Sequence, residues 1–364
     1  MGSGYLLFQR ESTLLAQRFD ARNLRLIGEA VPVADHVGNF FELPFYSVSS
    51  NGVLIHHPGA LEPKAQLTWL DRQGHPTATV GQPSVYDGVS VSPDGKKAAF
   101  AVADWSKSAR DMWVLDLERG APARLTFGPD MTSWQAVWSP DSRRLGYSTS
   151  SVSANRARIL RRSADGTGNE EEIFSATNAT QVRPTSWSPD GRYLLYDAVA
   201  GGKRDIWVLP LDGSAKPFPY LNTPADETSG VFSPDGRFIS YSSDETGTTE
   251  IYVRPFPDAG AGKWVVSKGG STFGGSATWR QDGRELWYIA PPPFTVMSAE
   301  VSTSPAFKPG PLKELFKLPP TITAISAARD GSRFLAGMPV ASSGSGYEQV
   351  PFTVVLNWQR ALKP

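Results

Sequence analysis

The chain has 364 residues, with 36 basic and 36 acidic side chains and hence no formal net charge at pH 7. That balance removes the long-range attraction that holds proteins on nucleic acid or anionic lipid, so neither is an expected partner. The 34 glycines and 30 prolines leave little room for long helices, while 11 Trp, 11 Tyr and 18 Phe favour strands. Composition therefore predicts an all-β protein.

Two further classes of feature are absent from the sequence. There is no cysteine, which excludes disulfides, thiolate metal ligands and thiol nucleophiles. No segment reaches the roughly 18 uninterrupted apolar residues of a membrane span, so no direct membrane insertion of this chain is expected. Met1-Gly2-Ser3 resembles an expression scar, and we expect one domain over residues 4–364.

In chain order, the first predicted elements are three short apolar strands at residues 5–8, 14–17 and 30–33. A turn motif then recurs with a period of about 45 residues, which is typical of a propeller blade. In it Pro fixes φ, Asp or Asn binds nearby backbone N–H groups, and Gly accepts a positive φ. The seven copies begin at Val48, Val91, Trp138, Trp187, Phe232, Trp279 and Ala327.

Each copy predicts four antiparallel strands. One strand precedes the turn, a second follows it, as at residues 192–196, and a third comes after a loop, as at residues 205–209. A fourth, shorter strand lies outside. Because Ile206, Trp207, Val208 and Leu209 are all apolar, both faces of the sheet must be covered, and blades stacked in a closed ring achieve this.

The spacing predicts seven four-stranded blades. The last unit, with strands at residues 334–336 and 352–356, lacks an outer strand, so we expect the N-terminal strands to close the ring against it. An incomplete eighth blade is the alternative for those N-terminal strands. Six blades with a separate flap is the least favoured arrangement.

These motifs resemble the TolB-like family of Pro-Asp β-propeller repeats, relatives of the WD-repeat propellers, over nearly the whole chain. Residues 4–20, 252–257 and 354–358 are more narrowly similar to the C-terminal propeller of bacterial membrane-anchored serine/threonine kinases. Some similar propellers accompany winged-helix regulators instead. The kinase resemblance implies an extracytoplasmic (periplasmic or extracellular) propeller that acts as a sensor in a membrane-anchored protein.

Kinase activity itself is not expected here. The chain has no Gly-rich nucleotide loop, no His-Arg-Asp loop and no Asp-Phe-Gly. We therefore predict a non-catalytic binding or protein-interaction module whose partner is a protein, a peptide or a small polar ligand. The alternative is a propeller enzyme of the lactonase or lyase type, with a metal site at the mouth of the channel.

No cofactor or metal site is predicted. The four histidines, His36, His56, His57 and His75, lack metal-ligand spacing, and a Gly-x-Ser-x-Gly nucleophile motif is absent. The turn aspartates lie in different blades, and local turn formation explains each of them. Trp69, Trp113 and Trp207 repeat at one blade position, which indicates packing between blades.

The loops that enter the innermost strands converge on one mouth of a ring, where binding sites commonly lie. Acids, amides and aromatics of mixed charge suit a polar or peptide ligand. The predicted binding residues at this mouth are Glu42, Tyr86, Asp87, Ser133, Trp134, Gln181, Arg183, Glu227 and Phe273.

Overall fold

The structure, a computed structural model, describes most of the chain. The described residues are 4–40, 43–57, 64–104, 109–127, 136–151, 156–176, 179, 181–213, 215–272, 277–319, 322, 324–340 and 351–362. They form two compact units. The terminal unit comprises Met1–Pro63, Asp104–Ala109 and Ala341–Pro364, and the blade unit comprises Lys64–Ala103 and Arg110–Val340.

The blade unit contains six four-stranded antiparallel sheets, each with consecutive strands as neighbours except the last. Blade 1 has strands β10 (Tyr86–Val91), β11 (Lys97–Asp104), β12 (Ala109–Asp116) and β13 (Pro122–Arg124); blade 2 has β14 (Val137–Trp138), β15 (Arg144–Ser151), β16 (Arg156–Ser163) and β17 (Glu171–Ala176); blade 3 has β18 (Gln181–Trp187), β19 (Tyr193–Ala200), β20 (Lys203–Pro210) and β21 (Phe218–Leu221).

Blades 4 and 5 repeat this order, whereas blade 6 joins the two ends of the blade unit. Blade 4 has β22 (Glu227–Phe232), β23 (Phe238–Ser243), β24 (Glu250–Pro255) and β25 (Trp264–Val265); blade 5 has β26 (Thr278–Trp279), β27 (Glu285–Ala290), β28 (Thr295–Ser302) and β29 (Lys308–Lys317); blade 6 has β30 (Ile325–Ala327), β31 (Phe334–Pro339), β8 (Ala65–Leu70) and β9 (Pro76–Ser84).

The terminal unit contains shorter sheets. Its strands are β1 (Gly4–Arg10), β2 (Thr13–Asp20) and β3 (Arg25–Ala34) in one sheet, β4 (Asn39–Phe40) with β5 (Leu43–Pro44) in a second, and β6 (Tyr46–Val48), β7 (Val53–His56) and β32 (Thr353–Leu356) in a third. Among the described residues, the short 3-10 helices are Ala259–Ala261, in the blade unit, and Trp358–Leu362, in the terminal unit. Within the described residues, no helix is long and apolar enough to cross a membrane.

Apolar clusters join each blade of the blade unit to the next. Separate clusters lie between blades 1 and 2, 2 and 3, 3 and 4, and 4 and 5. A fifth joins blade 5 to blade 6 through Trp287 and Phe334, and a sixth joins blade 6 to blade 1 through Trp69 and Phe100. Six sheets and six clusters therefore form a closed cycle, which confirms the all-β propeller.

The closing strands differ from the prediction. Strand β8 pairs with β31, with Leu67 opposite Gly337, whereas the C-terminal strand β32 pairs with β7 in the terminal unit. The N-terminal strands β1, β2 and β3 form a sheet of their own. Strands β8 and β9, within residues 65–84, complete the sheet of β30 and β31 and close the cycle of blades, whereas the predicted N-terminal strands of residues 4–33 do not.

The count of four-stranded blades among the described residues is accordingly six, where the repeat predicts seven. The first copy of the turn motif lies in the three-stranded sheet β32–β7–β6. The reason is that the first and last repeats exchange their third strands, so that β8 pairs with β31 and β32 pairs with β7. Both are short apolar strands, and the repeat pattern does not specify which one pairs with β31. The single domain expected over residues 4–364 remains a prediction beside the two compact units.

Candidate functional site

The innermost strands of three blades begin with residues that the sequence selects. Strand β10 begins at Tyr86, β18 at Gln181 and β22 at Glu227. Each of these strands is the first in its sheet and pairs with the strand that follows the Pro-Asp turn. These residues are therefore the first residues of innermost strands, whereas the spacing argument predicts them in the loops that enter those strands.

The same three strands share an irregularity near that end. The register shifts between Asp87 and Ser90 in β10, between Pro184 and Ser186 in β18, and between Thr228 and Val231 in β22. A bulge of this kind redirects side chains and is frequent beside functional sites. Asp87, Arg183 and Thr228 occupy equivalent positions in the three strands. In each strand, the partner of this residue lies two positions beyond the partner of the first residue after the register shift.

Ser229 marks the bulge in blade 4 with a φ of 59°, in the left-handed region, and Gly88 has a φ of 63° in blade 1. Glycine adopts this conformation without cost, but serine does not, so the surrounding contacts must hold Ser229 there. Asp197 accepts the Ser229 N–H at 3.0 Å, and Arg183 donates to the Ser229 hydroxyl at 3.1 Å. The bulge is thus fixed by an ion pair from the neighbouring blade.

That ion pair is largely buried on one side. Arg183 Nη2 lies 2.5 Å from Asp197 Oδ2, and the Asp197 side chain is 3% exposed, against 33% for Arg183. Burial raises the pKa of Asp197, while the Arg183 guanidinium and the Ser229 N–H oppose the rise. Arg183 therefore has two faces: one neutralises a buried carboxylate, and the other reaches solvent beside Gln181, which is exposed.

Blade 1 has a smaller version of this arrangement. Arg110 Nε donates to Asp87 Oδ2 at 3.0 Å, with the arginine 5% exposed and the aspartate 25% exposed. Burial raises the pKa of Asp87, and Arg110 opposes the rise. In blade 3 the inner strand supplies the arginine of the pair, whereas in blade 1 it supplies the carboxylate. In both blades the inner-strand residue is the more exposed partner.

Glu227 is less accessible than a loop residue would be. It is 2% exposed, and its Oε1 accepts the Thr223 hydroxyl, while Oε2 has no hydrogen-bond partner within the described part of the chain. Burial raises the pKa of Glu227, and Asp205 adds to the rise. Asp205 Oδ1 is likewise buried without a partner in the described residues, and burial raises its pKa too. These carboxylates form a polar cluster between blades 3 and 4.

Tyr86 belongs to the core. It is 5% exposed, its ring packs edge-on against Phe100 with centroids 4.9 Å apart, and its hydroxyl donates to Gln82 O at 2.5 Å. We therefore leave Tyr86 out of the proposed surface.

The structure brings Gln181, Arg183 and Glu227 to adjacent blades and Asp87 to the equivalent position of blade 1. Glu42, Ser133, Trp134 and Phe273 lie outside the described residues.

Sequence reasoning missed Asp197, Asp205, Ser229 and Arg110, although two of them carry a visible signal. Asp197 interrupts the apolar run Leu194-Leu195-Tyr196, and an acid inside such a strand needs a cationic partner. Asp205 repeats the acid that precedes the third-strand apolar residues as Asp111 and Glu250. The arginine partners come from distant positions, so only the fold reveals them.

Within the described residues, no group of three or more His, Asp or Glu side chains has the geometry to hold a metal ion. His56 is buried in the terminal unit, and His75 pairs with Asp71 at 3.2 Å on the turn after β8.

A closed cycle of four-stranded sheets with repeated Pro-Asp turns defines a β-propeller. Residues 136–307 match the model of the TolB beta propeller domain, so this segment carries TolB-like propeller repeats. No curated protein matches the chain significantly.

Three solved structures show the same fold. A putative TolB from Agrobacterium tumefaciens shares 16% identity with a TM-score of 0.60, covering 77% of this chain and 99% of that one. An oligogalacturonate lyase in complex with manganese shares 12% identity with a TM-score of 0.52 over 93% of this chain and 97% of that one. A chain of a nidogen/laminin complex shares 12% identity with a TM-score of 0.50, covering 98% and 99%. The fold thus occurs in an enzyme, the lyase, and in a chain of a protein complex.

Proposed function

We propose that the chain is a non-catalytic recognition module, the extracytoplasmic sensor or interaction part of a larger signalling protein. Its ligand, a protein segment, a peptide or a small polar molecule, binds where β10, β18 and β22 begin. The observation that carries the proposal is the clamped bulge: Arg183 and Asp197 hold Ser229 at a φ of 59°. Folding of a repeat does not require a strained residue held by a buried ion pair. The strained Ser229 instead preorganises a polar surface.

The exposed and half-buried polar groups at the start of β18 and β10 set the ligand chemistry. Gln181 offers an amide donor and acceptor, Arg183 retains an exposed face, and Asp87 offers a carboxylate. Such a mixed surface suits an extended peptide backbone, which presents donors and acceptors in alternation. It is less suited to a ligand of a single charge.

A selection experiment tests this site. A random peptide library is selected on the full chain, and the recovered peptides are titrated against Gln181→Ala. We expect the affinity to fall about tenfold, since a lost hydrogen bond to a ligand commonly costs about 1.4 kcal/mol, while the melting temperature stays unchanged. The matched control is Gln73→Ala, which removes an exposed amide from the turn after β8.

Peptides that bind wild type, Gln181→Ala and Gln73→Ala equally would place recognition elsewhere. Arg183→Ala is avoided, because it would leave the buried Asp197 without its cation and confound binding with stability.

A metal-dependent enzyme remains the second candidate, on one observation: the buried, unpartnered oxygens of Asp205 and Glu227. Lys203 acts electrostatically on both carboxylates, which favours an internally neutralised cluster over a cation site. Calorimetric titration with Mn²⁺ and with Ca²⁺ separates the two. Heat of binding that disappears in Asp205→Asn would favour the enzyme.

A further inference from the structure

The turn of blade 5 departs from the repeat. In blades 1 to 4 a buried turn serine donates its hydroxyl to the turn aspartate and accepts the N–H five residues later, as Ser188 does with Asp190 at 2.6 Å and Tyr193 at 2.9 Å. The equivalent serines are Ser92, Ser139 and Ser233. Blade 5 has Arg280 at this position and Glu285 five residues later.

These two residues build a charged cluster. Arg280 Nε and Nη2 bind Asp282 at 2.8 and 2.7 Å, and Nη1 binds Glu285 at 2.7 Å. Glu285 is 4% exposed and also accepts Arg72 Nη2 at 2.6 Å and the Ser298 hydroxyl. Burial opposes ionisation of Glu285, but Arg72 and Ser298 outweigh it and hold its pKa below the ordinary value.

Folding does not require this cluster. Blades 1 to 4 form the same turn with a neutral serine, and a buried ion pair generally adds little stability over an apolar or neutral alternative. A local departure from a repeat that folds well without it indicates a functional site. The effect of the buried Glu285 carboxylate is to fix the guanidinium groups of Arg72 and Arg280 in place.

A cavity of about 710 Å³ adjoins the cluster, within the range of small-molecule sites. Its charged lining residues are Arg72, Arg280, Arg284 and Lys313 against Asp282, Glu285 and Glu300. Its hydroxyl-bearing residues are Ser298, Ser302, Thr303 and Ser304, and Val301 is the single large apolar residue in the lining.

Two of the three lining acids, Asp282 and Glu285, are already engaged, but the cations are not fully used. Glu285 and Asp282 accept from Arg72 and Arg280, whose guanidinium groups retain further N–H donors. Lys313 is exposed on β29 and has no hydrogen-bond or ion-pair partner within the described residues. The cavity therefore presents fixed cationic donors next to several hydroxyl groups.

We propose that this cavity binds a small hydroxylated organic anion bearing a carboxylate or a phosphate group. Guanidinium forks recognise either group, so Arg72 and Arg280 orient the acidic end and Lys313 neutralises it. The serine and threonine hydroxyls bind the hydroxylated body. The site lies at the Arg280–Gly283 turn of blade 5 and is independent of the recognition surface proposed above.

Calorimetry on the full chain tests the site with three probes: glucuronate, glucose 6-phosphate and neutral glucose. We expect one or both acids to bind, more weakly as salt rises, and glucose to bind at least about tenfold more weakly, because the lost ion pair costs about 1.4 kcal/mol. Lys313→Ala should weaken the acid about tenfold. The control is Lys317→Ala, an exposed lysine of the same strand that does not line the cavity.

The two acidic probes distinguish a carboxylate site from a phosphate site. Failure of both acids to bind below about 10 mM overturns the proposal. So does binding that Lys313→Ala and Lys317→Ala weaken equally, because that would indicate general surface charge. Neither outcome affects peptide binding at Gln181, so the two proposals fail separately.

Discussion

At the scale of single residues, Glu227 shows how burial changes a role that the sequence suggests. Its position at the start of β22 predicts an accessible ligand group, yet the side chain is 2% exposed and one carboxylate oxygen has no partner in the described structure. Substituting a residue this deeply buried therefore affects stability as well as binding.

Replacing Glu227 by Gln should stabilise the protein at neutral pH relative to acidic pH. Burial raises the folded-state pKa of Glu227 above the ordinary 4.5, so between 4.5 and that raised value the folded state holds a proton that the unfolded state has lost. Stability from this group is thus present below pH 4.5 and is lost as the pH rises through the folded pKa. Gln cannot ionise and escapes that loss.

The measurement is urea unfolding of Glu227→Gln and wild type across pH 4 to 7. The free energy of unfolding of the variant minus that of wild type should increase with pH. Glu118→Gln, on an exposed turn, is the control for loss of a carboxylate without burial. A flat or falling difference for Glu227→Gln would show that Lys203 and Thr223 compensate the charge fully.

At the scale of strands, the repeated tryptophans are not equivalent. Trp69 on β8 is 3% exposed, and the Arg333 guanidinium lies 3.9 Å from its ring centroid. Trp113 and Trp207 pack against the apolar clusters of their blades but are only partly buried. The expectation that they pack in the core is met, with less burial than their apolar surroundings suggest.

Truncating Trp69 to Ala should therefore cost more than truncating Trp207. We expect about 5 kcal/mol for Trp69→Ala and about 3 kcal/mol for Trp207→Ala, the two ends of the usual range for large-to-small core changes. Chemical denaturation of both variants measures the difference. Equal costs would mean that the partly exposed Trp207 ring is packed as well as the buried Trp69 ring.

At the scale of the whole chain, the closing strands determine which part folds alone. All six apolar clusters of the blade unit lie within residues 64–340. A fragment of residues 64–340 should therefore unfold cooperatively as a monomer. A fragment of residues 85–340 lacks β8 and β9, leaves β31 as an unpaired edge and should aggregate.

Thermal unfolding followed by circular dichroism, with size-exclusion chromatography, compares the two fragments. Matching melting curves would contradict closure by β8. Failure of the longer fragment to fold would instead support the single domain expected over residues 4–364.

The sequence predicts the repeated blade well, because the signal is local. The Pro-Asp turn at Asp190 is fixed by hydrogen bonds among Ser188, Asp190 and Arg192, all within five residues. It also identifies the first residue of three inner strands, since Tyr86, Gln181 and Glu227 lie at a fixed distance before that turn. Which side chains these residues meet is not local, so the ion pair of Arg183 with Asp197 and the burial of Glu227 did not follow from spacing.

The sequence by itself determined the class of fold and the blade period, because turns and apolar runs act over a few residues. Only the tertiary structure decided which strands close the propeller, because β8 and β32 have equivalent apolar patterns and differ in the partners they reach. It alone also joined Arg72 to Glu285, 213 positions apart in the chain. Contacts at such separations depend on the folded arrangement of blades, and no local pattern encodes them.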